Sequence, residues 1–311
     1  MRPVKCVSKP YNPVLGEYFV CTWPESEVGD VHFVAEQVSH HPPVSAFHVV
    51  CRKADTSLTS AILTKSGIIT SAMPPFIKAL TVACEGETTL HLGCHEEVYT
   101  MTYPTAVATN VISSSARLLL SGQISISCSS NLGRVDLTFV EESLVHGIVY
   151  DTESGEQVAT VGGNWRRLVE LYKDDVSMEK EGFKTEIGSK QKVESKGNAE
   201  IKKVVKRGDG DDDNSVDGSK TVLLDMRSWD EPETAKLVAN IATQGELESR
   251  RLWRLLTRSL AGYMSEIEAD TAKRSVEDWA RQRGPDERTL QYFEVDPDNP
   301  LNVRFKFLSQ E

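Results

Sequence analysis

The chain has 311 residues, of which 39% are hydrophobic and 26% charged, as is typical of a globular protein with a substantial core. The formal net charge of −11 disfavours non-specific nucleic-acid binding, because neutralising phosphates requires a basic surface. The first ten residues carry no signal-peptide core, and no uncharged apolar run reaches transmembrane length. We therefore expect a cytoplasmic protein whose contact with membranes is peripheral and which does not bind nucleic acid.

Short alternating runs of apolar and polar residues dominate from residue 31 to about residue 165. Val135, Leu137 and Phe139 alternate with polar side chains, and Ile124 and Ile126 alternate with serines. This period of two is typical of half-buried β-strands. Turn signals separate the runs, and no helical stretch long enough for a parallel crossover intervenes. The pattern predicts an antiparallel meander or barrel.

The composition changes after residue 172. As far as residue 220 the chain consists mostly of Lys, Glu, Asp, Gly and Ser, with Phe183 as a rare aromatic residue. Such a stretch buries too little apolar area to offset its ordering entropy. We predict a disordered, solvated insertion.

A helical pattern follows the insertion. Between residues 246 and 280 apolar residues recur at helical spacing, and Gly284 and Pro285 end the pattern. The tail returns to alternation at Val303, Phe305 and Phe307, which predicts a last strand that closes the fold.

Common catalytic templates are absent from the sequence. It has no G-x-S-x-G elbow, no Walker loop, no H-E-x-x-H motif, and its six cysteines include no C-x-x-C pair. We therefore expect reduced thiols, no cofactor and no metal. A hydrolase or metal enzyme that uses His40 or His41 remains the alternative from another class.

Two adjacent histidines form the densest polar group. In a regular strand His40 and His41 would point to opposite faces and could not share a metal ion. Pro42 and Pro43 follow directly, and they can redirect both rings because they interrupt a regular ladder. Imidazoles presented at a bend would suit an anionic ligand.

A second polar group falls in the helical region. Lys273, Glu277 and Arg281 are spaced at i, i+4 and i+8, which places them on one side of a helix. Taken alone, this spacing is typical of exposed ion pairs that contribute only about 0.2–0.5 kcal/mol each.

The chain resembles oxysterol-binding-protein-related lipid-transfer domains. Residues 36–43 read E-Q-V-S-H-H-P-P, which is that family's signature. Residues 9–17, K-P-Y-N-P-V-L-G-E, are similar to its K-P-x-N-P-x-L-G-E segment, and residues 163–165 to its G-x-W step. Glu248, Trp253 and the Lys273 triplet match its C-terminal helices. The resemblance covers most of the chain except the charged insertion.

The resemblance implies a mainly β fold with some α-helix. A large, near-complete antiparallel β-barrel would enclose a lipid tunnel and be followed by C-terminal helices. Residues 1–172 would form the barrel core, 173–220 the insertion, and 221–311 the helical part and the closing strand. Family members usually carry several dozen residues ahead of the K-P-x-N-P segment, and these residues form a lid over the tunnel. We therefore expect the tunnel lid to be missing from this chain.

The resemblance also implies a function without covalent chemistry. Such domains exchange phosphatidylserine or a sterol for phosphatidylinositol 4-phosphate between membranes, which implies transient contact with anionic membranes. A non-transferring phosphoinositide sensor or scaffold is the alternative for a chain without a lid. Lys9 and Asn12 would lie near the glycerol phosphate, and His40 and His41 would bind the 4-phosphate. The inositol headgroup would also contact Lys273, Glu277 and Arg281.

Overall fold

The computed structural model describes residues 11–26, 29–70, 77–110, 117–129, 133–140, 143–173, 220–227, 235–258, 265–283 and 290–306. Lys9 and residues 174–219 of the predicted disordered insertion (173–220) lie outside these ranges, whereas its two end residues, Lys173 and Lys220, are in strands. Across the ranges, thirteen strands join in one antiparallel sheet. They are β1 Tyr18–Ser26, β2 Gly29–His40, β3 Pro43–Cys51, β4 Thr56–Thr70, β5 Ile77–Leu92, β6 Glu97–Met101, β7 Thr105–Thr109, β8 Arg117–Cys128, β9 Arg134–Val140, β10 Leu144–Tyr150, β11 Gln157–Asn164, β12 Leu168–Lys173 and β13 Lys220–Asp225.

The order of strands in the sheet follows the order in the chain almost throughout. The exception is β5, which pairs with β6 along one half and with β7 along the other before both pair with β8. This meander confirms the predicted near-complete antiparallel barrel. The last strand, β13, extends the sheet at the start of the C-terminal part, ahead of the stretch from residue 246 to residue 280 for which the sequence predicted helices.

The two faces of the sheet differ in polarity. Directly paired residues point to the same face, so one face can be followed from strand to strand. We define as the inner face the one that carries, from β3 to β10, Phe47, Ser60, Thr88, Met101, Ile126, Val135 and Val149. On the same face, Val145, Val161 and Val169 form a buried cluster. The outer face of these later strands carries polar residues such as Asp136, Thr138, His146 and Glu170.

In the part of the chain that the structure describes, three α-helices follow the barrel: α1 Ser249–Leu252, α2 Arg254–Arg258 and α3 Glu266–Gln282. Glu248 caps α1 by accepting the backbone N–H groups of Arg250 at 2.8 Å and Arg251 at 3.2 Å. Ser265 and Glu268 form a capping box at the start of α3. The predicted helical region is therefore confirmed, but it is divided, and Trp253 lies 2% exposed between its first two helices.

The C-terminal tail forms a strand that does not join the barrel. Strand β15, Val303–Phe305, pairs with β14, Phe293–Val295, in a sheet of their own. This hairpin covers the outer face of the early strands, where Phe293 is fully buried against Val44, Ala46 and Ala61. The expectation of a strand is confirmed, whereas its expected role in closing the barrel is not, because its backbone partner is β14.

Candidate functional site

The two histidines lie at the tight turn between β2 and β3. His40 pairs with Pro43 across this turn, and the peptide bond before Pro42 is cis. His40 Nδ1 lies 3.2 Å from His41 Nε2, and the two rings meet edge to face with centroids 4.6 Å apart. The turn thus brings together two rings that a regular strand would direct to opposite faces.

The two imidazoles differ in their surroundings. His40 is half-buried, whereas His41 is exposed. Burial lowers the pKa of His40, and the neighbouring His41 lowers it further. His40 is therefore neutral near pH 7 in the free protein, and an anion bound beside it would favour its protonated form.

Gln37 supports the histidine turn from within β2. Its side chain is buried, it accepts a hydrogen bond from Ser45 Oγ at 2.6 Å, and it donates one to the carbonyl of Ser39 at 2.8 Å. Because Ser45 lies on β3, its bond to Gln37 connects the two strands close to the turn. Gln37 therefore fixes the base of the turn that carries both histidines.

The segment from Tyr11 to Glu17 lies beside β2. The backbone N–H of Gly16 donates to the carbonyl of Gln37 at 2.8 Å, and the N–H of Gln37 donates to the carbonyl of Glu17 at 2.8 Å. Asn12 is exposed at the start of this segment. The K-P-x-N-P-x-L-G-E segment and the E-Q-V-S-H-H-P-P signature are therefore neighbours in space.

Glu17 connects the same segment to the helices. Its buried carboxylate accepts hydrogen bonds from Trp253 Nε1 at 2.9 and 3.0 Å, from Ser249 Oγ at 2.5 Å and from the N–H of Val14 at 3.1 Å. Four donor contacts compensate the cost of burying this group.

Helix α3 packs on the other side of the segment. Val14 forms a buried cluster with Trp253 and Leu256, on which Val276 and Ala280 of α3 also pack. Beyond the helix, Arg283 donates to the carbonyl of Leu15 at 3.2 Å. The segment is thus held between β2, at Gln37, and α3.

The predicted triplet borders this buried side of α3. Glu277 lies 3.9 Å from Lys273 and 3.8 Å from Arg281, so one carboxylate is placed between two cations. Lys273 and Glu277 are partly buried, whereas Arg281 is exposed and also pairs with Asp278. The three side chains do form one row on the helix, as the spacing predicted.

The structure brings together the elements that carry the predicted site residues. Asn12 precedes Val14 by two residues, the histidines follow Gln37 by three and four, and the triplet lies on α3. Both β2, at Gln37, and α3 contact residues 14–17, which continue the segment that begins with Asn12. Lys9, the remaining predicted residue, lies outside the described ranges.

Glu36, the first residue of the signature, has a role that the sequence analysis missed. Its side chain is 2% exposed and accepts the backbone N–H groups of Gln291 at 2.6 Å, Tyr292 at 2.9 Å and Phe293 at 3.0 Å. Burial raises its pKa, although these bonds and Lys306 act in the opposite direction. Glu36 therefore attaches the C-terminal hairpin to the barrel. The sequence signal for this role is an acidic residue between the apolar positions Val34 and Val38, where a buried side chain is expected.

The inner face carries a group of half-buried aromatic rings at the first strands. Phe33 lies 6.2 Å from Phe19, 6.3 Å from Trp23 and 6.1 Å from Phe47, measured between ring centroids. Partial exposure of large apolar rings inside a barrel leaves apolar surface available to a molecule of similar character.

A cavity of about 1420 Å³ lies elsewhere, mainly between the outer face of β3–β5 and the C-terminal hairpin. Its lining includes His48, Thr59, Glu87, Val303 and Phe305, but neither of the adjacent histidines. It is therefore separate from the candidate site.

Within the described ranges, no group of three or more His, Cys, Asp or Glu side chains could hold a metal ion. In the same ranges, every helix is too short or too polar to cross a membrane.

Comparison with known proteins identifies the family. The oxysterol-binding protein family model matches residues 2–259. Human oxysterol-binding protein-related protein 5 is 36% identical over 174 residues, which are 53% of this chain and 19% of that protein. Human oxysterol-binding protein-related protein 8 is 29% identical over 310 residues, which are 94% of this chain and 29% of that protein.

A solved structure agrees on the fold. The Osh1 ORD domain in complex with ergosterol has a TM-score of 0.65 and 21% identity, and the match covers 98% of this chain and 69% of that one. The chain belongs to the oxysterol-binding protein family. It spans less than a third of the length of the human relatives.

Proposed function

We propose that this chain binds a single lipid, with its apolar part inside the barrel and its headgroup at the histidine turn. In this account it carries phosphatidylinositol 4-phosphate in one direction between membranes and phosphatidylserine or a sterol in the other. The chemistry is binding and release, with no covalent step.

The observation that carries the proposal is that two elements meet at residues 14–17, a place that we call the junction. There Gln37 of β2, three residues before His40, and the helix α3 contact the same short segment, next to strands whose inner face is apolar. Polar groups gathered beside an apolar interior are suited to a molecule with a charged headgroup and a long apolar part.

The headgroup contacts follow from the chemistry of the side chains. His40 and His41 would donate to the 4-phosphate, and protonation of His40 on binding would add a charge-assisted hydrogen bond. Lys273 and Arg281 would contribute positive charge, while Glu277 would accept inositol hydroxyls. Asn12 would donate its amide to the glycerol phosphate, and we place Lys9 beside it.

Family membership supports lipid binding and transfer in general, and the choice of the second lipid is our proposal. The neighbouring Osh1 structure contains ergosterol, which makes a sterol one candidate for the barrel. Phosphatidylserine is the other. Both would compete with phosphatidylinositol 4-phosphate, because we place all three in the same interior.

Extraction of phosphatidylinositol 4-phosphate from vesicles tests this proposal. We expect the wild-type chain to remove the lipid from phosphatidylcholine vesicles, and the His40→Ala/His41→Ala variant to lose at least about tenfold in affinity, because charge-assisted bonds to the phosphate disappear. His95→Ala is the matched control, since His95 is also exposed but lies on the 3₁₀ turn after β5.

Equal extraction by the wild type and the double variant would contradict the headgroup assignment. Binding to vesicles without extraction of lipid would instead support a sensor that does not transfer.

A further inference from the structure

The β4–β5 hairpin extends beyond its neighbour. Strand β3 pairs with β4 as far as Val44 and Leu63, whereas β4 and β5 continue to pair as far as Thr70 and Ile77. Seven residues beyond Leu63 correspond to roughly 23 Å of extended chain. The extension starts at the end of β3 that adjoins the His41–Pro42 turn, so it projects from the histidine end of the barrel.

A row of apolar side chains crosses the outer part of this extension. Ile68 pairs with Leu80, Leu80 with Ala108 and Ala108 with Leu118, so all four share one face. Ile68 is 65% exposed, Leu80 39% and Leu118 38%. An exposed apolar strip is costly in water and is typical of an interaction surface.

This strip continues the inner face of the barrel. Along β8, Leu118 shares its face with Leu120 and Gly122, and Gly122 pairs with Phe139. Phe139 packs on the buried inner cluster around Val145. An apolar path therefore runs from the barrel interior to the exposed hairpin.

Ile69 adds exposed apolar surface on the other face of β4. It is 47% exposed and, by alternation, points away from Ile68. In the sequence, the twelve residues between Lys65 and Lys78 include no charged side chain.

Basic residues border the strip in an acidic protein. Arg117 and Arg166 are exposed, and Arg166 donates to the carbonyl of Leu118. At the base of the hairpin, Glu85 is paired with Lys65 at 2.6 Å. Arginines beside exposed apolar side chains are typical of surfaces that bind anionic lipid, because the cations meet phosphate while the apolar groups enter the acyl region.

We propose that the β4–β5 hairpin and the start of β8 form the surface by which this protein docks on an anionic lipid bilayer. Ile68, Ile69 and Leu80 enter the outer layer of the membrane, and the arginines rest on its phosphates. The apolar strip then links the bilayer to the barrel interior. This inference deepens the proposed function and rests on it, because it names the surface across which the lipid enters.

Sedimentation with vesicles tests the docking surface in the full chain. The vesicles contain phosphatidylcholine alone or with about 30% phosphatidylserine, a fraction chosen to give an anionic surface. We expect wild-type protein to bind the anionic vesicles, and Ile68→Ser/Ile69→Ser to bind them about tenfold less tightly, since two apolar side chains are lost from the membrane. Arg117→Glu should weaken binding to anionic vesicles only.

The matched control is Val222→Ser/Leu223→Ser on β13. These side chains are 55% and 52% exposed, and like the hairpin pair they are adjacent and apolar. The control should bind vesicles as the wild type does. Equal binding by the hairpin variant and the wild type would overturn the proposal. So would a wild-type dimer that the hairpin variant converts to monomer, because the strip would then join two copies.

A water-soluble dioctanoyl phosphatidylinositol 4-phosphate separates this inference from the proposed function. The hairpin variant should bind this short lipid as tightly as the wild type, because the histidine turn is unchanged. If neither protein binds the short lipid but the hairpin substitutions still abolish vesicle binding, the headgroup site fails while the docking surface stands.

Discussion

Trp253 donates its indole N–H to both carboxylate oxygens of Glu17, at 2.9 and 3.0 Å, across 236 positions of sequence. Both side chains are buried. The contact attaches the helices to the segment that precedes the barrel, and it places α1 and α2 where α3 can pack. The geometry of the candidate headgroup site therefore depends on a carboxylate that is not expected to touch the ligand.

Replacing Glu17 tests this dependence. Glu17→Ala would leave the Trp253 and Ser249 donors and the N–H of Val14 without their acceptor. We expect the free energy of unfolding to fall by about 2–4 kcal/mol, measured by urea denaturation. Glu246→Ala, at an exposed acid just before the helices, should change it by less than about 0.5 kcal/mol. A loss of similar size in both variants would contradict the role of Glu17.

Gly163, in the G-x-W step, provides a test of backbone geometry. Its φ is +142°, and a Cβ atom there would overlap the carbonyl oxygen of Leu168. We expect Gly163→Ala to destabilise the protein by more than about 2 kcal/mol, as judged by thermal and urea unfolding.

Gly155 is the matched control for that substitution. Its φ is also positive, at +70°, but nothing lies within 4 Å of a Cβ placed there. Gly155→Ala should cost only about 1 kcal/mol, which is the cost of the left-handed backbone alone. Equal losses in the two variants would exclude the overlap as the cause.

His48 should make the stability of the protein sensitive to acid. It is 5% exposed, its ring stacks on Phe305 with centroids 4.1 Å apart, and Nδ1 lies 2.8 Å from Thr59 Oγ1. Burial lowers its pKa to about 4, with a smaller contribution from His91. Because its ordinary pKa is about 6.5, the stability is fully present above pH 6.5 and is lost as the pH falls towards 4.

We expect this loss to reach at most about 3 kcal/mol. Urea denaturation between pH 7.5 and 4 should show a flatter dependence for His48→Phe, which keeps an aromatic ring on Phe305 but cannot be protonated. The difference between the two proteins isolates His48 from His40 and His146, two half-buried histidines whose pKa is also lowered by burial. Parallel curves for both proteins would show that His48 does not cause the acid sensitivity.

The α3 triplet can be tested against a neighbouring ion pair. Lys273→Ala should weaken binding of a soluble phosphatidylinositol 4-phosphate about tenfold, while stability changes little, since such helical pairs contribute only about 0.2–0.5 kcal/mol. Arg274 also has an i,i+4 partner, Asp270 at 2.9 Å, but it lies away from the junction and is 73% exposed. Arg274→Ala should bind the lipid normally, and calorimetry distinguishes the two variants.

The sequence predicts the barrel well because its strands alternate with a period of two. The inner residues Val135, Leu137 and Phe139 share one face in the structure, as their spacing required. The tail could not be placed in the same way. Alternation predicts a strand at Val303 to Phe305, but it does not select a backbone partner. That choice depends on Glu36, whose carboxylate holds residues 291–293 on the barrel's outer face.

The candidate site stays a prediction. The family resemblance named residues on three separate elements, and in the structure β2 and α3 both contact the segment at residues 14–17. Local patterns could not show the buried partners of Glu17 and Glu36, because each lies more than 230 positions away in the chain. Both glutamates belong to the recognised motifs, although their contacts in this structure are within the protein.

Native mass spectrometry of the chain after incubation with mixed vesicles tests the central claim most directly. The vesicles contain phosphatidylcholine with phosphatidylinositol 4-phosphate, phosphatidylserine and ergosterol. The account predicts one lipid per folded chain. That lipid is either phosphatidylinositol 4-phosphate or a second lipid, which is phosphatidylserine or ergosterol, and no chain carries both. His40→Ala/His41→Ala should lose the phosphoinositide and keep the second lipid. A folded wild-type chain that carries no lipid, or that carries both lipids at once, would contradict the account.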